Sequence, residues 1–227
     1  MSNAVLLVGD TGSGKSSAIE SLDPKETFII QSVRKELPWK GSRKIYQDLT
    51  TQNKDGRKIY QPDLSAIPKA IEHIAKTAPH IKTIIIDDAN YLLSTMYLSR
   101  HTANEKNPFD KFSDIADMSK NMIQASQNQR DDLDVFFMWH TNVDDNGRTG
   151  IVTIGRFLEE KYKIEGAFTV TLFAEKVEVF GKKVEYRFVT GDRVMNIAKS
   201  PRGMFPKVLP NDLQLVKETM KKYYEEE

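Results

Sequence analysis

The stretch Gly9-Asp10-Thr11-Gly12-Ser13-Gly14-Lys15-Ser16 constrains the fold of this chain more than any other. It fits the pattern G-x-x-x-x-G-K-[ST] at every required position. Residues 4–8, Ala-Val-Leu-Leu-Val, are a short apolar run that predicts a buried strand, and residues 16–22 predict a helix start. Strand, glycine loop and helix in this order wrap backbone N–H groups around a polyphosphate, and the helix N-terminus adds partial positive charge. Gly9, Gly12 and Gly14 suit the role because a Cβ would block the tight turn or the approach of backbone to phosphate. Asp10, Thr11, Ser13 and Ser17 complete the expected cradle. Lys15 is expected to reach the β- and γ-phosphates, and the Ser16 hydroxyl to sit on Mg²⁺.

The second informative stretch is Thr83-Ile84-Ile85-Ile86-Asp87-Asp88. A continuous apolar run is what a parallel strand needs when helices cover both faces. Its two carboxylates fall at the C-terminal end, where open α/β sheets bind ligands. Asp87 is expected to hold Mg²⁺ directly or through a water. A third apolar run, residues 134–139, ends at His140-Thr141-Asn142, which makes His140 a candidate sensor of the γ-phosphate.

Around these motifs the chain predicts a second strand over 27–31, a helix over 64–77 capped by Asp63, and helices over 91–101 and 109–130 separated by a polar loop, 102–108. The pentapeptide Arg-Lys-Ile-Tyr-Gln occurs at 43–47 and again at 57–61, with Asp55-Gly56 between, which predicts an inserted β-hairpin over about 43–62. Its charges fit either contact with nucleic acid or a solvated strand face. Residues 143–155 read as a mobile loop. Strands at 167–180, 183–190 and 193–198 form an expected antiparallel meander, followed by a basic loop, 199–206, and a final helix over about 211–225 capped by Asn211 or Asp212. No linker divides the 227 residues, so one domain is expected over 1–227.

Charge sets limits on partners. With 33 Lys+Arg against 32 Asp+Glu, no overall field draws the protein to nucleic acid, so such binding needs a local stripe. The candidates for that stripe are Arg148, Arg156, Lys161 and Lys163. The lack of cysteine removes disulfides, thiolate zinc sites and cysteine nucleophiles, and suits a reducing cytoplasm. No apolar run approaches the ~20 residues of a membrane span. The chain starts almost directly in its first strand, so no signal peptide is expected.

Phosphate loop, acid-tipped strand, strand with a polar tip, loop, β-hairpin and basic loop follow one another in an order that resembles the RecA-type recombinase core. More closely, it resembles the small phage-encoded ATPases of that core that act in single-strand annealing and recombination. The resemblance runs over nearly the whole chain. It implies an α/β fold of the RecA-like P-loop NTPase type, with a mainly parallel central sheet flanked by helices and a C-terminal antiparallel β extension. It implies ATP and Mg²⁺ as cofactors, hydrolysis of ATP, and a homo-oligomeric ring or filament with ATP between neighbouring subunits. It also implies single-stranded DNA along the inner loops, a single-strand-binding or replication protein as a further partner, and a phage protein in the host cytoplasm. Residue by residue, Gly14, Lys15 and Ser16 match the phosphate loop, Asp87 the Walker B acid and His140 the strand-tip sensor. Lys199 and Arg202 match the basic residues that reach a neighbour's ATP. The core's catalytic glutamate follows the second strand, where Glu36 is displaced, so Asp88 stands beside Glu36 as candidate for polarising the attacking water. Two other functions remain open: a P-loop motor or loader, such as a helicase loader or packaging accessory, and a kinase or nucleotide-dependent switch.

Overall fold

The computed structural model describes residues 2–99, 110–179, 181, 183–191 and 196–225. The apolar runs become parallel strands. β1 (Asn3–Gly9), β2 (Thr27–Gln31), β3 (Lys58–Tyr60), β4 (Thr83–Asp87) and β5 (Asp134–Val143) lie in the order β3-β2-β4-β5-β1. β6 (Thr149–Ile151) pairs antiparallel with β5 beyond the main sheet. β7 (Val170–Val179) lies parallel to β1, and β8 (Lys183–Val189) and β9 (Val208–Pro210) extend that side antiparallel. The result is a mixed α/β fold whose largely parallel sheet ends in an antiparallel extension.

Alternation along the strands divides the core in two, as the pleat requires. Leu6, Ile30, Ile84, Ile86, Phe137 and Trp139 face one layer. Their cover is α2 (Ile67–Thr77), α3 (Asn90–Ser99), α4 (Asp110–Gln127) and α5 (Arg156–Lys161). Leu7, Ile29, Ile85, Phe136 and Met138 face the other, under the segment after β1, α1 (Ser42–Ile45) and α6 (Leu213–Glu225). Covering both faces is what lets β1, β4 and β5 read as unbroken apolar runs. Asp63 caps as expected, its carboxylate accepting from Ser65 N at 2.9 Å. Among the described residues no helix is long and apolar enough to cross a membrane.

Four local expectations are corrected. The helix after the glycine loop is a six-residue 3₁₀ helix, Ser16–Ser21. Three serines in it favour local backbone bonds over an α-helix, and Asp23-Pro24 ends it. Residues 43–62 do not form a hairpin: Ser42–Ile45 is a helical turn and β3 runs parallel to β2. Only the end of the first repeat meets the second, through Arg57 N to Gln47 O at 2.9 Å; Leu49 N to Lys58 O at 2.7 Å continues the contact, and the bridge between Asp48 and Lys58 is parallel. Gly56 permits this, because a Cβ there would lie 2.3 Å from Leu49 N; its role is close approach rather than a hairpin turn. Residues 143–155 hold a hairpin where a loop was expected, closed by the Asp144 carboxylate accepting from Asn146 N and Arg148 N. Of the expected strand 193–198, residues 196–198 are not in a strand and 193–195 lie outside the described residues, as does the loop 102–108; β9 is the described edge strand after β8, ending in Pro210.

Candidate functional site

Parallel register collects the conspicuous polar residues at one edge. Gly9 pairs with His140 across β1 and β5, and Gln31 pairs with Asp87 across β2 and β4. β5 separates β1 from β4. The C-terminal tips of four neighbouring strands therefore carry the glycine loop, His140, Asp87-Asp88 and Gln31-Ser32. This is the edge where open parallel sheets take ligands.

The loop has a fixed shape. Gly14 has φ 97°, and a Cβ on it would lie 2.8 Å from Cδ1 of Tyr186, so any larger residue would be strained and would clash. Ser13 N donates to Asp10 O at 3.1 Å, and Ala18 N donates to Gly14 O and Lys15 O. Among the described residues no acceptor takes the N–H of Gly14 or Lys15. Among the described residues the buried Ser13 hydroxyl and Asn211 Nδ2 find no hydrogen-bond partner. Lys15 is folded back and buried, its ammonium donating to Gly9 O at 2.6 Å and Asp10 O at 2.8 Å. Burial lowers its pKa to about 8, against the opposing pull of Asp88. Thr141 Oγ1 donates to Asp10 Oδ1 at 2.5 Å and ties the loop to β5. Thr11 and Gly12 are exposed, and Ser17 is half-buried.

Opposite the loop stand the two acids. Ser16 Oγ donates to Asp87 Oδ1 at 3.0 Å, and Gln31 Nε2 reaches Asp87 Oδ2 at 3.4 Å. Burial pushes the Asp87 carboxyl up. Asp88 adopts φ 59°, a left-handed conformation that aspartate and asparagine tolerate better than most residues other than glycine. Ser32 Oγ stabilises that turn by donating to Asp87 O at 2.9 Å and Asp88 O at 2.6 Å. The Asp88 carboxylate takes Lys35 Nζ at 2.6 Å and His140 Nε2 at 3.2 Å. Burial acts to raise Asp88, but the hydrogen bonds from His140 and Lys35 outweigh it and hold the carboxyl below the usual range. Lys35 also lies 3.4 Å from Asp87 Oδ2 and 3.4 Å from Ser16 Oγ. Asn90 Oδ1 accepts from His140 N at 3.2 Å, and Tyr91 meets the imidazole edge-on at 6.0 Å.

Chemically, the edge offers free N–H groups and an ammonium beside hard oxygen donors. Among the described residues no group of three His, Cys, Asp or Glu could hold a metal. A hydroxyl and one carboxylate are nevertheless the protein share of a Mg²⁺ site whose other ligands are waters and phosphate oxygens. Ser16 and Asp87 fit that share.

The other candidates are scattered. Glu36 is exposed and pairs with Arg43 at 3.1 Å, away from the acids. Lys199 joins β7 through backbone bonds with Thr171, and Arg202 is exposed on the following loop, where its carbonyl accepts from Tyr223 OH at 3.3 Å. Arg148 and Lys163 are exposed; the side chains of Arg156 and Lys161 lie outside the described ones. Lys35 was not a sequence candidate. Its signal is its place four residues beyond Gln31, whose strand neighbour is Asp87, and this becomes visible only once β2 and β4 are known to be adjacent. Tyr186 and Asn211, which cover Gly14, come from the far end of the chain and carry no local signal. No protein-family model matches this chain, and no curated protein matches it either.

Proposed function

We propose that this protein is an ATP-binding, Mg²⁺-dependent ATPase with a RecA-like P-loop core that acts on single-stranded DNA in phage recombination or strand annealing. The observation that carries the nucleotide reading is the 3.0 Å contact between Ser16 Oγ and Asp87 Oδ1, two residues 71 apart in sequence that the motif requires at one metal ion. The DNA and recombination part rests on the order of motifs along the chain. Ser16 and Asp87 would hold Mg²⁺, which would supply neutralisation of negative charge on the phosphates. The chain's own residues do the rest. Lys15 turns from the carbonyls of Gly9 and Asp10 to the phosphates, and the free N–H groups of Gly14 and Lys15 line the cradle. Asp88, held ionised, accepts the proton of the attacking water, while His140 orients that carboxylate from β5.

The test has two arms. Lys15→Ala is expected to stay folded and to lose tight ATP binding, measured by calorimetry; tight binding by the folded variant defeats the phosphate-loop reading. Single-stranded DNA is expected to stimulate ATP hydrolysis by the unaltered protein, with affinity falling steeply with salt, by a slope of roughly −0.7 per phosphate contact. The second acid beside Asp87 favours a motor or loader as the other reading. Ring or filament assembly without a partner protein, seen by sedimentation, separates the two in favour of recombination.

A further inference from the structure

Three oxygens from two parts of the chain meet at the acid tip: Ser16 Oγ from the glycine loop, and Asp87 Oδ2 and Asp88 Oδ2 from the end of β4. One atom touches all of them. Lys35 Nζ lies 3.4 Å from Ser16 Oγ, 3.4 Å from Asp87 Oδ2 and 2.6 Å from Asp88 Oδ2. A buried pair of carboxylates needs a cation nearby, and a lysine stem delivers one. The stem belongs to the irregular segment after β2, anchored by Gln31 Nε2 to Lys35 O at 3.2 Å. Its side chain keeps 34% of its surface in solvent, whereas the Asp87 side chain keeps 1%. The ammonium can therefore withdraw to water; the carboxylate cannot.

We propose that the Lys35 ammonium is a tethered, displaceable occupant of the cation position between Ser16, Asp87 and Asp88, so that a Mg²⁺-nucleotide binds by exchange of cations. The proposal rests on the nucleotide reading above. Mg²⁺ demands oxygens at about 2.0–2.1 Å in near-octahedral array. Oxygens already gathered around an ammonium cannot also close around Mg²⁺, and the two cations repel at that separation. Lys35 thus sets how much Mg²⁺ the site requires. It also links the site to the basic segment after β2, where Arg34 stacks over Tyr60 at 4.5 Å from the ring centre.

The test titrates Mg²⁺ against binding of a non-hydrolysable ATP analogue in the unaltered protein and in Lys35→Gln. Mn²⁺ alone, followed by electron paramagnetic resonance, gives a nucleotide-free arm. The half-saturating Mg²⁺ concentration is expected to fall about tenfold in Lys35→Gln, with Mn²⁺ binding tightened similarly and Lys35→Arg staying near the unaltered protein. Unchanged metal dependence overturns the proposal. So does a loss of nucleotide affinity in EDTA with metal dependence unchanged, which makes Lys35 a phosphate contact. If the unaltered protein binds no nucleotide at any Mg²⁺ concentration, the nucleotide reading fails; the Mn²⁺ arm still decides the cation exchange by itself. If Lys35→Gln does not fold, acylation of the unaltered protein mapped by mass spectrometry replaces it. Lys35 labelling should rise several-fold when Mg²⁺ and the analogue are added, with exposed Lys163 unchanged. A Lys35 that stays protected overturns the proposal.

Discussion

Asp88 combines three features at one residue: a left-handed backbone, two cationic or hydrogen-bonding partners, and a carboxyl held ionised. Asparagine tolerates φ near 59°, so Asp88→Asn isolates the charge from the backbone. The expected outcome is nucleotide binding retained and turnover reduced by roughly 10²–10⁴, the usual range for a lost general base. Glu36→Gln should leave turnover unchanged, because Glu36 faces Arg43 in solvent. Loss of hydrolysis in Glu36→Gln but not in Asp88→Asn transfers the role to Glu36. At the opposite end of β5, Asp134 poses a different problem. Burial raises its carboxyl, although Asn3 Nδ2 donates to it at 2.8 Å and Lys217 pulls the other way. A folded-state pKa above the unfolded value of about 3.9 contributes stability below that pH and loses it as pH rises through the folded value. Asp134→Asn keeps an oxygen for Asn3 and removes the charge. Its melting temperature should gain on the unaltered protein as pH rises from about 4 to 7, and a gap that is constant with pH contradicts the assignment.

Elements far apart in sequence are stapled at their ends. The last residue of the 3₁₀ helix, Ser21, accepts from Leu213 N at 2.9 Å and Gln214 N at 3.3 Å, and so caps α6 from outside it. Asp212 supplies the in-chain cap by accepting from Leu215 N at 2.9 Å. Ser21→Ala should cost about 0.5–2 kcal/mol in urea unfolding, the range for a lost N-cap, and should loosen α6 in hydrogen exchange before the sheet. An unchanged midpoint means that Asp212 suffices. The Asp212 cap was visible in the sequence because it lies beside the helix it serves; the Ser21 cap was not, because it depends on the 3₁₀ helix and α6 sharing a layer. The same division holds for strands. β1, β2, β4 and β5 were legible because helices cover both faces and leave a continuous apolar signal. β3 and β9 have three residues each at sheet edges, too few to show alternation. At the candidate site, the meeting of the glycine loop, Asp87, Asp88 and His140 at one sheet edge was legible, because each stood at the tip of an apolar strand. Lys35 was not, because nothing in residues 32–41 marks which side chain turns back toward the acids.

At the scale of the molecule, the question is whether one chain completes its own site. Among the described residues, no ion pair joins Lys199 or Arg202 to Asp87 or Asp88. Lys199 is held in the sheet by backbone bonds to Thr171, and Arg202 stands exposed on the loop after Pro201, with Tyr223 against its carbonyl. Both are thus tied through their backbones, and among the described residues neither side chain forms an ion pair. With a net charge of +1, the chain carries no large self-repulsion against assembly. A cation reaching the γ-phosphate of a neighbour's nucleotide contributes roughly 10³–10⁵ in rate in P-loop enzymes. Under the proposed function it would make hydrolysis conditional on assembly, so that DNA which templates assembly also switches on turnover. The double variant Lys199→Ala/Arg202→Ala should therefore bind ATP as the unaltered protein does and hydrolyse it slowly. Lys15→Ala should fail to bind ATP while keeping both cations. Mixed on single-stranded DNA, the two inactive proteins should recover activity, because each intact phosphate loop of the first can receive its cation from a copy of the second. Sedimentation establishes whether mixed assemblies form. Mixed assemblies without recovered hydrolysis would return Lys199 and Arg202 to ordinary surface charge and leave Lys15, Asp88 and His140 to act within a single chain.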